Sequence, residues 1–196
     1  MCTSALNAQG EAELFSARTH MLSPDELQKM DEAGKGFVPT PPPGGKVRSI
    51  AEFERNEGVI VGYSGQFGIP FTLIAEMSQV AKVYTIVANA SVENTVRNQY
   101  IANGVNINQC IFVQGPLDSY WARDYSPWFI ADSANRVAIV DFPYNRPRPN
   151  DNNVPGLFAA ALGLDMYGMD IKHTGGNYIA DGVGGGGSSR LVLTED

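Results

Sequence analysis

Residues 58–87 have the sequence GVIVGYSGQFGIPFTLIAEMSQVAKVYTIV and set the fold class of the chain. Residues 58–63 and 82–88 are rich in β-branched side chains, which is typical of buried strands. Residues 70–80 lie between them and carry apolar side chains at helical spacing. Strand, helix and strand in this order predict a βαβ unit.

The same alternation continues along the chain. A helix is predicted from residue 91 to about residue 102, and a third strand at residues 110–113. Residues 128–131 and 137–142 flank a polar turn and predict a hairpin. Further elements are a short helix near residues 157–162 and strands near residues 166–171, 178–180 and 190–193. The predicted fold class is therefore α/β, with strand-strand-helix-strand units that recur.

A segment of different composition precedes this region. Ser23, Pro24 and Glu26 have the pattern of a capped helix start, and Gly34 is expected to end that helix. Residues 34–48 are rich in proline and glycine, which is typical of an extended linker. The expected organisation is an N-terminal arm or pro-segment at residues 1–38, a linker at residues 39–49 and a globular domain at residues 50–196.

Composition argues against several classes of function. The 196 residues include 14 Lys+Arg and 21 Asp+Glu, so the formal net charge is −7. A nucleic-acid-binding surface would need concentrated basic residues, and no apolar run approaches the length that spans a bilayer. Cys2 and Cys110 are too isolated to form a metal site or a disulfide framework. An acidic chain is more compatible with a small cationic or guanidinium-bearing ligand.

The segment DSYWARDY, residues 118–125, packs three aromatic residues, two carboxylates and an arginine into one connection. As an extended segment it would direct Trp121 and Arg123 to one side and Asp124 to the other. A ring and a carboxylate that converge on one cleft suit a planar cation. The alternative is structural, with Trp121 and Tyr125 in the core and Asp124 paired with Arg123.

Two further clusters follow along the chain. In NRPRPND, residues 145–151, prolines hold Arg146 and Arg148 on a stiff loop that suits a carboxylate or phosphate. The alternative is a solvated loop with surface ion pairs. In HTGGNY, residues 173–178, paired glycines predict a close backbone approach to a ligand or a neighbouring element. His173 alone is more often a structural histidine than a base.

Three motifs together resemble those of the bacterial secreted peptidylarginine deiminases, which are grouped with the agmatine deiminases among the guanidino-group-modifying enzymes. They are YWARDY at residues 120–125, YNRPRPND at residues 144–151 and TGGNY at residues 174–178. The resemblance covers the chain from about residue 47 to residue 196. It implies a pseudo-fivefold α/β propeller, the pentein fold, built of strand-strand-helix-strand blades. It also implies hydrolysis of peptidyl-arginine to peptidyl-citrulline and ammonia, without a metal or a cofactor.

The resemblance also assigns roles to four residues. Asp124 is similar to the guanidinium-binding carboxylate of the family, and Trp121 to the aromatic wall beside the substrate. Arg146 and Arg148 resemble the pair that binds the substrate's α-carboxylate, which favours an arginine at the C-terminus of a peptide. Agmatine has no carboxylate, and two cations near its site would be useless or repulsive. A peptide substrate is therefore expected in preference to agmatine.

The covalent chemistry of the family has no match here. In the family a cysteine thiolate attacks the guanidinium carbon to form a thiouronium intermediate, a histidine of a His-x-Asp motif is the general acid and base, and a second aspartate and an asparagine complete the site. Neither His20 nor His173 has an aspartate two residues on, and neither Cys2 nor Cys110 matches the late nucleophile. We expect the chain to be the N-terminal part of such an enzyme, catalytically incomplete without a C-terminal part.

Other readings of the function stay open. The chain could instead belong to an agmatine deiminase-like hydrolase of small molecules, or act as a non-catalytic module that binds arginine-ended peptides. The expected partners are an arginine-containing peptide or protein and the C-terminal part of the same enzyme, with no nucleic acid. An open segment of a propeller would expose apolar strand edges, which favours association into an oligomer. Secretion is expected from the resemblance alone.

Overall fold

The computed structural model describes residues 21–182 and the backbone of residues 191–193. Sheets and helices alternate through this part, so the predicted α/β class is confirmed. In chain order the elements are α1 (Pro24–Leu27), β1 (Val47–Ser49), β2 (Gly58–Gly62), α2 (Phe71–Val80), β3 (Lys82–Val87), α3 (Ala90–Ala102), β4 (Cys110–Gln114), α4 (Ala122–Tyr125), β5 (Trp128–Asp132), β6 (Val137–Asp141), α5 (Pro149–Asn152), α6 (Val154–Leu162), β7 (Met166–Gly168), β8 (Tyr178–Ala180) and β9 (Leu191–Leu193). Short 3₁₀ turns lie at Met30–Glu32, Ile107–Gln109 and Gly175–Asn177.

A three-stranded parallel sheet in the order β2-β3-β4 contains the predicted βαβ unit. Its central strand β3 is buried along nearly its whole length, because helices cover both faces. Helices α2 and α3 supply Ile74 and Tyr100 to one face, and α6 supplies Phe158 to the other. A parallel strand covered on both sides has a continuous apolar sequence rather than an alternating one. This explains the unbroken run at residues 82–87.

A second sheet has the order β1-β5-β6-β7. Strands β5 and β6 form the predicted antiparallel hairpin, and β7 adds to β6 in parallel. Strand β1 pairs with β5, although its residues were predicted to end the linker at residues 39–49. The prolines of that segment all precede β1, so its backbone N–H groups are free to pair at the sheet edge.

The N-terminal arm packs onto the domain. Ser23 caps α1 as predicted, because its Oγ accepts from the Glu26 backbone N–H at 3.2 Å while the Glu26 carboxylate accepts from the Ser23 N–H at 2.7 Å. Helix α1 ends at Leu27, earlier than the predicted end at Gly34, and a separate 3₁₀ turn follows at Met30–Glu32. Gly34 turns the chain with φ of +68°, and a Cβ there would lie 2.7 Å from Cβ of Pro143.

A buried hydrogen bond under the parallel sheet provides a test of the packing. Thr85 Oγ1 and the Tyr100 hydroxyl are 2.9 Å apart, and both residues are inaccessible to solvent. Tyr100→Phe leaves the Thr85 hydroxyl buried without its partner, which should lower the free energy of unfolding by about 1–3 kcal/mol. Thr85→Val combined with Tyr100→Phe removes both polar groups, and should cost less than the sum of the two single changes. Urea unfolding of the four proteins measures this, and strictly additive losses would contradict it.

Candidate active site

Residues 118–125 are not extended, which corrects the predicted alternation of their side chains. The Asp124 N–H donates to the Trp121 carbonyl at 2.9 Å, and the Ser126 N–H donates to the Ala122 carbonyl at 2.9 Å, so the segment closes into the single turn α4. In a helical turn, residues three apart lie on the same face. Trp121 is the residue before this turn and its backbone is not helical, so the turn sets the direction of the Asp124 side chain but not that of Trp121.

The structural alternative for residues 118–125 predicted Tyr125 in the core and an ion pair between Asp124 and Arg123. The first part is confirmed and the second is wrong. Tyr125 is 1% exposed in the core, and its hydroxyl donates to the Ser119 carbonyl at 2.8 Å. Arg123 forms its ion pair with Glu52 and lies over the Trp128 ring, with Cζ 5.2 Å from the centroid. The cation expected to neutralise Asp124 in the structural alternative thus has another partner.

Trp121 is partly buried beside a small cavity. Its ring centroid lies 5.1 Å from that of Tyr120, and both rings line a cavity of about 250 Å³. The opposite side of this cavity is formed by the end of β2 and by residues around Gly68. Trp121 therefore offers an aromatic surface to this cavity, whose lining residues do not include Asp124, and its role as a wall beside a planar ligand stays a prediction.

The Asp124 carboxylate is partly exposed and is held between two other segments. The Tyr144 hydroxyl donates to its Oδ2 at 3.4 Å. On the other side, a Cβ placed on Gly176 would lie 4.0 Å from Oδ1. No Lys or Arg in the part of the chain that the structure describes forms an ion pair with Asp124. The carboxylate thus has one hydroxyl donor and no basic ion-pair partner among the described residues.

The paired glycines make the predicted close approach, and the element they approach is α4. A Cβ on Gly175 would lie 2.2 Å from the Arg123 carbonyl oxygen and 3.2 Å from the Asp124 carbonyl oxygen. No real side chain tolerates the shorter distance, so only glycine fits there. The 3₁₀ turn Gly175–Asn177 consequently lies directly against the backbone that positions Asp124.

Two aspartates tie the segment before α4 to the loop that carries the arginines. The buried Asp151 Oδ1 accepts from the backbone N–H groups of Asp118 at 2.8 Å and Ser119 at 3.2 Å, while its Oδ2 accepts from Ser119 Oγ at 2.7 Å. In the reverse direction, Asp118 accepts from the Asn150 backbone N–H at 2.9 Å and from Asn150 Nδ2 at 2.7 Å. We call this set of contacts the aspartate clasp.

The two arginines of the proline-rich loop are in different environments. Arg148 is only 3% exposed, so a freely solvated loop is wrong for this residue. Its Nε donates to Glu26 Oε1 at 2.6 Å and its Nη2 to Glu26 Oε2 at 3.3 Å. Its Nη1 is buried and finds no acceptor among the described residues. Arg146 is partly exposed, with Nη1 donating to Asn145 Oδ1 at 3.2 Å.

Tyr144 links the two halves of the candidate site. Burial raises the pKa of its hydroxyl, and the charges of Asp124, Arg148, Asp151 and Arg146 all reach it. A tyrosine held neutral in this way donates to Asp124 at any physiological pH. The Tyr144 hydroxyl thus contacts Asp124 directly and is influenced by the charges of Arg146 and Arg148, whereas Trp121 lines the neighbouring cavity.

The described histidine and cysteine do not form a catalytic pair. His173 is 4% exposed and stacks on Phe142, with ring centroids 4.0 Å apart, which is a structural role as the sequence favours. Cys110 lies in β4 and donates to the Asn106 carbonyl at 3.5 Å, and burial raises the pKa of its thiol. A raised pKa disfavours the thiolate that a nucleophile needs. Cys2 and His20 lie outside the described residues.

Residues 21–182 contain neither a metal-binding cluster nor a membrane-spanning helix. No group of three or more His, Cys, Asp or Glu side chains there is arranged to hold a metal ion. No helix in the same range is both long and apolar enough to cross a bilayer.

Comparison with known proteins then identifies the family. The model of the Porphyromonas-type peptidyl-arginine deiminase family matches residues 50–194, which is most of the chain. The chain belongs to this family. The recognition made from the three motifs is therefore confirmed.

Solved structures share the fold of this deiminase family member at low sequence identity. An agmatine deiminase of C. jejuni is 19% identical with a TM-score of 0.55, over 71% of this chain and 44% of that one. An agmatine deiminase of Enterococcus faecalis is 22% identical with a TM-score of 0.57, over 70% of this chain and 42% of that one. A protein of Porphyromonas gingivalis named as an arginine deiminase is 15% identical with a TM-score of 0.53, over 70% of this chain and 45% of that one. The chain thus spans less than half the length of these proteins.

Several residues of the site carried no assignment from the sequence of this family member. Tyr144, Asp118 and Asp151 stand inside or beside the quoted motifs, and their position there was the available signal. Glu26 lies 122 residues from Arg148, and no local pattern connects them. Only the folded chain shows that this acidic residue reaches the proline-rich loop.

The aspartate clasp predicts a pH dependence of stability. Burial raises the pKa of Asp151 to about 7, despite the donors from Ser119 and Asp118. Between about pH 4 and pH 7 the folded protein holds a proton that the unfolded chain has released, so the free energy of unfolding falls as pH rises. Asp151→Asn mimics the protonated group. We subtract the free energy of unfolding of Asp151→Asn from that of wild type. From about pH 4 to about pH 7 this difference should fall by at most about 4 kcal/mol, and above about pH 8 it should stay constant.

Urea unfolding of wild type and Asp151→Asn at several pH values measures this difference. Using the difference cancels the titration of all other groups. A difference that is constant with pH, or that rises with pH, would contradict the raised pKa of Asp151.

The close approach at Gly175 predicts a position-specific loss of stability. Gly175→Ala forces the Arg123 carbonyl away from the added methyl group, and should lower the free energy of unfolding by about 1–3 kcal/mol. Gly176→Ala is the matched control, because its Cβ makes only an ordinary contact with Asp124. Thermal or urea unfolding compares the two variants. Equal losses in both would show that the contact with α4 is not the reason for the glycine.

Proposed function

We propose that this chain holds the substrate-binding part of a guanidino-group deiminase that converts C-terminal peptidyl-arginine to peptidyl-citrulline and ammonia. The observation that carries the proposal is the Asp124 carboxylate. It accepts from the Tyr144 hydroxyl at 3.4 Å, it forms no ion pair with a basic residue of the described part, and it lies three residues after Trp121. Family membership over residues 50–194 gives this geometry its chemical context.

Asp124 is suited to hold a guanidinium group. A carboxylate accepts paired hydrogen bonds from two guanidinium nitrogens, and the planar cation stacks favourably on an aromatic face. The Tyr144 hydroxyl occupies one lone pair of Oδ2 and so restricts the directions from which a ligand binds. Trp121 supplies the neighbouring ring surface. Its role as a wall rests on the family resemblance and on its position one turn before Asp124.

Arg146 and Arg148 favour a substrate with a carboxylate. Both arise from the loop after β6, which also carries Tyr144. Two guanidinium groups repel agmatine, which is a dication without a carboxylate, and attract the C-terminal carboxylate of a peptide.

The covalent steps are proposed for a later part of the same enzyme. There a cysteine thiolate would add to the guanidinium carbon, and ammonia would leave after protonation by a histidine. The resulting thiouronium would be hydrolysed by water, which restores the thiolate and gives citrulline. Asp124 would contribute by holding the guanidinium in place and balancing its positive charge. Cys110 and His173 have structural environments that support this division of labour.

The propeller architecture belongs to the same proposal. We propose that the two main sheets are first blades of a pseudo-fivefold α/β propeller, completed by the part that carries the cysteine and histidine. Overlap with less than half of each agmatine deiminase structure is compatible with this arrangement. Association through open strand edges, and secretion, stay predictions.

Peptide binding tests the role of Asp124. A short peptide with a C-terminal arginine and a free carboxylate should bind wild type, and Asp124→Asn should weaken binding about tenfold or more, because the charge-assisted contact is lost. The same peptide ending in the uncharged citrulline should bind wild type and Asp124→Asn with equal affinity. Asp165→Asn removes an exposed carboxylate elsewhere and is the matched control. Isothermal titration calorimetry measures all the affinities.

The outcomes separate the candidate functions. Equal affinity of wild type and Asp124→Asn for the arginine peptide would overturn the assignment of the guanidinium site. Tighter binding of agmatine than of the peptide would favour a small-molecule hydrolase. A citrulline assay on the purified chain should show no turnover. Turnover that is lost in Asp124→Asn would show that the chain is not catalytically incomplete.

A further inference from the structure

We propose that the N-terminal arm inhibits the site, because Glu26 occupies the edge of Arg148 that a substrate carboxylate would use. The inference rests on the proposed function, in which Arg148 binds the C-terminal carboxylate of a peptide. It adds a regulatory role for the arm, which the motifs of the domain do not contain.

The contact of Glu26 with Arg148 has the geometry of a bound carboxylate ligand. Both carboxylate oxygens of Glu26 face the Nε and Nη2 edge of the guanidinium, at 2.6 and 3.3 Å. This edge presents two parallel N–H donors, and a peptide carboxylate would bind it in the same way. The two acids therefore exclude one another from this edge. Only Nη1 remains without an acceptor among the described residues.

Glu26 is held ready for this contact by the arm itself. The Ser23 backbone N–H donates to Oε2 at 2.7 Å, so the capping box that starts α1 also fixes the carboxylate. Burial alone would raise the pKa of Glu26, but the hydrogen bonds from Arg148 and Ser23 hold the pKa below its ordinary value. The carboxylate is consequently charged at neutral pH, as an inhibitor of a guanidinium site must be.

The arm also covers the space next to the arginines. A cavity of about 300 Å³ has Arg146 and Arg148 on one side and the arm residues Glu32, Gly34 and Lys35 on the other. Gly34 lies against Pro143 at the base of the arginine loop. A peptide whose C-terminus approached Arg148 from this side would meet the arm before it reached the guanidinium.

The arm can leave Arg148 without unfolding the domain. Helix α1 has no buried residue, and Leu27 is 59% exposed. The firm anchors lie further along the chain, at the buried Ala33 and at Thr40, whose Oγ1 accepts from the Gly168 N–H at 2.9 Å. The hydrogen bonds between Glu26 and Arg148 are thus one of the contacts that attach α1 to the domain.

The charge of Arg148 explains why we expect a peptide carboxylate to replace Glu26, and why Glu26 does not leave Arg148 without a replacement. A guanidinium that is 97% buried by the domain and arm is destabilised when its counter-ion is removed. A peptide carboxylate restores the pair, whereas a neutral C-terminal amide does not. The structure therefore predicts competition that depends on the charge of the substrate terminus.

A binding experiment with charge-matched variants tests the inhibition. Glu26→Gln removes the charge but keeps an acceptor for the Ser23 N–H, so the capping box is retained. It should bind a peptide ending in arginine with a free carboxylate about tenfold or more tighter than wild type. Its affinity for the C-terminal amide of the same peptide should be unchanged. Asp25→Asn, which removes the exposed neighbouring charge, should behave as wild type.

Proteolysis provides a second readout that does not depend on affinity. Lys29 and Lys35 are exposed on the arm, and a protease that cleaves only after lysine leaves the arginine peptide intact. The free-carboxylate peptide should accelerate cleavage at these two lysines in wild type, and the amide should not. Unchanged cleavage at a saturating concentration of the peptide would overturn the inference.

The outcomes also distinguish this inference from the proposed function. If Asp124→Asn weakens peptide binding but wild type and Glu26→Gln bind equally, the guanidinium site stands and the inhibition is wrong. If no variant binds either peptide, the proposed function fails, and the inhibition fails with it.

Discussion

The candidate site depends on the hydrogen bonds that two carboxylates, the buried Asp151 and the exposed Asp118, form between two loops. Asp151 cannot be buried without donors, and it finds them in the backbone of Asp118 and in Ser119. Asp118 in turn accepts from Asn150, one residue before Asp151. These hydrogen bonds hold the loop after β4 and the loop after β6 together. They therefore determine where α4 and the arginine loop lie relative to each other.

A third loop contacts the other two by close backbone packing and not by charged side chains. The glycine turn after β7 lies against the α4 backbone at a distance that excludes any side chain on Gly175. Three connections that follow strands β4, β6 and β7 thus meet around Tyr144 and Asp124. Loops gathered on a rigid scaffold in this way can carry binding residues whose spacing is set by the sheets beneath.

Sequence patterns predicted the parts of this architecture that local physics controls. The apolar run of β3, the helix face of α2 and the β5–β6 hairpin each follow from periodicity and turn residues within a short window. Two elements near the site, α4 and β1, were not predicted from the sequence, for physical reasons. The turn α4 has no cap residue and no apolar period, so it was taken for an extended segment. The edge strand β1 was assigned to a linker because prolines dominate the residues before it.

Long-range pairing was the main limit on predicting the site. The close approach of the glycines was expected, but its target in α4 was not identified from the sequence. Arg148 was expected to bind a carboxylate, and the structure supplies one from the arm, which was predicted only as a separate segment. Family membership followed from the motifs, whereas the roles of Trp121, Asp124 and the arginines stay predictions for the experiments above.

The covalent attachment of the arm sets the strength of any competition at Arg148. The tether is the short segment between Glu26 and the anchor at the buried Ala33, so Glu26 stays near the guanidinium at an effective concentration on the order of millimolar. A peptide in dilute solution competes poorly against such a neighbour unless its other contacts are strong. A single cut in the tether would lower that local concentration to the bulk value and change occupancy at Arg148 without altering any contact in the domain.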